Sequence, residues 1–205
     1  MGVVKLSTAG ILDYQKYSSF LAGNTAYSPI IGAYDLLETE ILTGSQASVT
    51  FSNLNSTYGA DYQHLQLRMV TRDDRTVAAN VVRIQFNGDT GSNYSNHNLY
   101  ATGSTVASGA SASQTDTIVG LSSSSYASAN IFGASILDIL DAFETTKYTT
   151  TRSLCGVYAV GENYAWLASG SWQNTAALTS ISLKPSGGVN FVSGSRFSLY
   201  GLKAA

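Results

Sequence analysis

From Tyr34 onward, apolar and polar residues alternate with a period of two. Ala47, Val49 and Phe51 alternate with Ser48, Thr50 and Ser52. Leu65, Leu67 and Met69 alternate with Gln66 and Arg68, and Val82, Ile84 and Phe86 with Arg83 and Gln85. Successive side chains of a strand point to opposite faces, so each run predicts a strand with one buried face. Further strands are predicted at 36–42, 94–102, 115–121, 149–160, 164–172, 178–183 and 197–202. The run Ile131–Leu140 is apolar on both faces and predicts a central strand. Turn signals separate the runs; Asn87-Gly88 is the strongest. About ten short strands with almost no helical periodicity predict an all-β antiparallel sandwich. Residues 103–130 are rich in Ser, Ala and Gly and read as either a surface loop or an exposed strand pair.

Residues 1–33 follow a different rule. Ile11, Tyr14, Tyr17 or Ser18, and Leu21 recur at helical spacing, with Thr8 as a cap and Gly23-Asn24 as a stop. The stretch 25–32 contains Pro29 and reads as extended. With Phe20 and Tyr27, these residues make an aromatic-bearing arm that docks elsewhere or packs back on its own sandwich. The expected organisation is an arm over 1–33 and a sandwich over 34–205.

Composition narrows the function. Charged residues are 12% of the chain, about half the usual share, and the net charge is −2. Clustered Lys and Arg are absent, which argues against nucleic acid as a partner. Arg72 and Arg75 enclose Asp73 and Asp74 and read as a solvated loop. Cys155, the one cysteine, lies in an apolar run and reads as a buried structural thiol. Ser7, Thr8, Gly10 and Asp13 interrupt any secretory h-region, and Leu6 spoils a myristoylation motif. No run approaches the ~18 apolar residues of a membrane span. The expectation is a protein made in a cytoplasm, with no membrane partner.

Candidate chemistry is thin. His64 and His97 are the only histidines, and no HExxH, CxxC, GxSxG or GxGxxG pattern occurs. Asp138 and Asp141 sit at the end of an apolar strand and read as hydrogen-bonded structural acids. Asn87, Asp89 and Asn93 are the weak candidates for a Ca²⁺ site, and an Asx turn explains them equally. Trp166, Trp172 and Tyr94 are either stacking platforms for a glycan or core residues. The reading is a non-enzyme with no cofactor.

Several stretches resemble a family of phage virion proteins common among tailed phages of marine and freshwater bacteria. They are Val3–Gly10, Leu65–Arg68, Ile84–Tyr94, Trp172–Ile181 and Phe197–Lys203. None carries a catalytic motif, so the resemblance implies a setting and no active residues. Read with the composition, it implies a capsid decoration, or cement, protein on the outer surface of the virion. Such a protein is expected to be a jelly-roll-like homotrimer. Its partners would be the major capsid protein and copies of itself, engaged through Ile11, Tyr14, Tyr17, Phe20, Leu21 and Tyr27 of the arm. The alternative is a tail-fibre or receptor-binding module for host surface glycans.

Overall fold

The computed structural model describes residues 34–159 and 161–203, and the predicted arm lies outside them. Twelve strands and one short helix are found among the described residues. In chain order they are β1 (Tyr34–Ile41), β2 (Val49–Ser52), α1 (Leu54–Tyr58), β3 (His64–Thr71), β4 (Ala79–Phe86), β5 (Tyr94–Thr102) and β6 (Thr105–Gln114). There follow β7 (Thr117–Ser123), β8 (Gly133–Leu140), β9 (Thr149–Ala159), β10 (Glu162–Trp172), β11 (Ser180–Pro185) and β12 (Arg196–Leu202).

Two antiparallel sheets pack together. The larger has the order β1-β12-β3-β8-β9-β10-β5-β6, and the smaller has the order β2-β11-β4-β7. Setting aside the hairpins β5–β6 and β9–β10 leaves eight strands. One sheet then holds the first, eighth, third and sixth of them; the other holds the second, seventh, fourth and fifth. That interleaving is the jelly roll. The two hairpins add four strands beyond β8 and widen one sheet only.

Alternation explains the core. Leu65, Leu67 and Met69 of β3, Leu137 and Ile139 of β8, and Phe197 and Leu199 of β12 face the smaller sheet. They meet Phe51, Ile84, Phe86, Ile181 and Leu183. Each such side chain contributes about 1.5–3 kcal/mol on burial. A smaller cluster of Leu121, Cys155 and Val157 continues the core under the inserted hairpins, with Trp166 and Tyr164 against it.

Two expectations hold with a sharper meaning, the turn at Asn87-Gly88 and the central β8, and two change. Asn87 (φ 54°) and Gly88 (φ 67°) do form a tight turn, closed by Asp89 N donating to Phe86 O at 2.9 Å. It joins no hairpin, because β4 and β5 belong to different sheets. Residues 103–130 are no simple surface segment: β6 is exposed, but β7 is almost wholly buried. The Arg72–Arg75 segment is not merely solvated. The Arg72 guanidinium donates to the carbonyls of Ala127, Ser128 and Ile131 at 2.9–3.0 Å, and Asp73 is buried. Last, β8 is central, as its pattern predicts, but only one of its apolar faces is covered. Ile136 stays 44% exposed.

Candidate interaction surface

The outer face of the larger sheet is built from the even-numbered residues of β3 and β8 and their register partners. Arg68 lies opposite Ile136, Ile136 opposite Leu154, Leu154 opposite Leu167, and Leu167 opposite Leu99. Four large aliphatic side chains therefore form one row across β8, β9, β10 and β5. Their exposures are 44, 63, 47 and 51%. Beside them runs a row of minimal side chains, Ala134, Gly156, Ala165 and Ala101, capped by Val70 and Val106. The result is an apolar ridge along a shallow floor.

The other side of the ridge is polar and tied down. Asp138 accepts from Gln66 Nε2 and from Arg152, each at 2.8 Å. Gln66 Oε1 accepts from the Tyr34 hydroxyl at 2.6 Å and from Arg68 Nε at 3.3 Å. Tyr34 stacks on Tyr200 with ring centroids 4.9 Å apart, and the Arg68 guanidinium lies 5.0–5.4 Å from both rings. This network holds long side chains in fixed positions, which lowers the entropy lost when a partner arrives.

The residues singled out in the sequence scatter over the fold. Trp172 and Tyr94 are fully buried, so neither offers a ring face to a glycan. They pack with Phe86 as an aromatic cluster at one end of the core. Trp166 is half-buried and stacks on Tyr100 at 4.6 Å, with its Nε1 buried and unpartnered. Asn87 Oδ1 accepts from Thr179 N and Ser180 N at 2.7 and 3.1 Å. Asp89 accepts from Gly91 N, Asn93 Nδ2 and Trp172 Nε1 at 2.8–2.9 Å. These oxygens are committed to N–H groups, and the segment is a braced Asx turn. The bond from Asn93, with those from Trp172 and Gly91, holds the Asp89 carboxyl below its ordinary range. Among the described residues, no group of three His, Cys, Asp or Glu is placed to hold a metal ion.

Cys155 and the two histidines do not meet. Cys155 faces inward, and burial pushes its thiol pKa up. His64 and His97 belong to the opposite, outer face. His64 Nδ1 accepts from the Asp141 backbone N–H at 2.9 Å, and Asp141 pairs with Lys147 at 2.7 Å. Sequence reasoning missed the aliphatic row altogether. Its one signal was the double apolar pattern of β8.

The fold and this face together define, among the described residues, a jelly-roll sandwich with an exposed apolar sheet face. No family model, curated protein or solved structure matches the chain.

Proposed function

We propose that the protein is a non-enzymatic structural protein of a phage virion, a decoration or cement protein that binds the major capsid protein lattice. The observation that carries this reading is the exposed aliphatic row on a charge-poor jelly roll. Exposed apolar patches of this kind serve association. Sparse charge lets copies crowd on a lattice without strong mutual repulsion. Jelly rolls serve capsids and lectins alike, so the fold supports the setting by analogy only. The arm (residues 1–33) is proposed as the element that engages the major capsid protein.

The test is incorporation. Purified full-length protein, mixed with particles that lack it, should co-sediment at a fixed ratio to the major capsid protein. Deleting residues 2–30 should abolish co-sedimentation while the β-type circular dichroism spectrum persists. Co-sedimentation undiminished by the deletion sinks the arm assignment; no binding to any particle sinks the decoration reading.

A second reading rests on Trp166 and Tyr100. A stacked, half-buried aromatic pair suits the apolar face of a sugar ring, as in a glycan-binding module. On a glycan array, that reading expects binding that Trp166→Ala removes.

A further inference from the structure

We infer that the outer face of the larger sheet is where copies of this chain bind one another, through the row Ile136, Leu154, Leu167 and Leu99. This deepens the proposed function, since it assigns the self-contact that a lattice protein makes, but it is tested without any particle.

Three observations favour a second copy as the occupant. The first is area. With Val70 and Val106, the row exposes apolar surface on the order of 600 Å², most of the ~800 Å² that a standard interface takes from each partner. The second is anatomy. The centre of the patch is uncharged and polar side chains flank it: Arg68 and Ser108 at the two ends of the row, and Arg152, Asp138 and Gln66, already paired to one another, along one side. An apolar centre with a polar rim is how stable interfaces are built. The third is charge complementarity. The rim carries cations in Arg68 and Arg152 and an anion in Asp138, so it offers both signs. An identical face, turned about a twofold axis, carries both signs by construction and meets the row with the same row, a contact distinct from the threefold one that the resemblance implies. The floor of Ala134, Gly156, Ala165 and Ala101 adds no side chain large enough to hold the two faces apart.

The experiment is sedimentation of the full chain over a range of concentrations. The wild type is expected to self-associate reversibly. Leu154→Glu with Leu167→Glu is expected to weaken association at least about tenfold, with the circular dichroism spectrum unchanged. Should that variant not fold, Leu154→Ser with Leu99→Ser removes apolar area without adding charge, and the same loss is expected. Thr50→Glu, exposed on β2 of the other sheet, is the control and should associate like the wild type. Hydrogen exchange should slow in β8, β9, β10 and β5 as the wild type associates.

A wild type that stays monomeric at every soluble concentration overturns the inference and gives the face to a different partner. So does association unaffected by both outer-face variants, or weakened equally by Thr50→Glu. A chain that self-associates through this face yet binds no capsid leaves the inference standing and removes the decoration reading. Capsid binding by a strict monomer does the reverse.

Discussion

At the scale of single residues, polar side chains act as braces. Asp89 holds Trp172, Gly91 and Asn93 together behind the turn that carries the chain from one sheet to the other. Asp89→Ala leaves the indole N–H and a backbone N–H without their acceptor, and should cost about 1–3 kcal/mol in urea unfolding. Asp73 is a second brace: its carboxylate accepts from Arg75 N, Asn80 Nδ2 and Ser124 Oγ at 2.7–3.1 Å.

The two acids titrate in opposite senses. Asp89 has a folded pKa below its ordinary value, so the stability it contributes is full above that ordinary value. This stability is lost as pH falls through the folded pKa. Burial raises the folded pKa of Asp73, so its charged form weighs against folding, and that weight lifts as pH falls through the raised value. Stability measured against pH should therefore fall in acid, less steeply in Asp89→Ala and more steeply in Asp73→Asn. Identical acid limbs in all three proteins would contradict this assignment. Cys155 makes a simpler case. It is buried with its pKa raised, so a thiol reagent should label it only after unfolding.

At the scale of elements, close approach between strands sets the constraints. A Cβ added to Gly133, at the start of β8, would overlap the Leu121 carbonyl oxygen of β7. That neighbour is backbone and has nowhere to go. Gly133→Ala should destabilise by roughly 1–3 kcal/mol, read as a lower urea midpoint with unchanged slope. Gly156, on the outer floor, is different: its added Cβ meets only the Tyr164 carbonyl oxygen at an ordinary 3.6 Å. Gly156→Ala should lie within about 0.5 kcal/mol of the wild type. The contrast separates a glycine required by packing from one at an open surface. The edge strand β6 carries no charge and no proline from Thr105 to Gln114, so it lacks two common protections of a sheet edge.

At the scale of the whole molecule, the inserted hairpins matter most. An eight-stranded jelly roll needs only β1, β12, β3 and β8 in its larger sheet. Adding β9, β10, β5 and β6 doubles that sheet and carries the exposed row across β8, β9, β10 and β5. Strand assignment was largely legible in the sequence, because burial on one face imposes a period of two that can be read locally. The braced turn was half legible: Asn87-Gly88 announced itself, but the partner of Asp89 lies at Trp172, far along the chain. The aliphatic row was not legible. Leu99, Ile136, Leu154 and Leu167 look like ordinary members of four separate strands.

The all-β class, most strand positions and the inward-facing residues could be read from the chain alone, since alternation and turn chemistry act over a few residues. The buried thiol at Cys155 belongs with these, for it followed from its apolar run. Which strands became neighbours, where the hairpins were inserted and which apolar face of the described residues stayed exposed emerged with the folded arrangement. Pairing joins residues dozens of positions apart, and its register depends on how the two sheets close over a shared core. A surface assembled by that register exists only after the chain has folded.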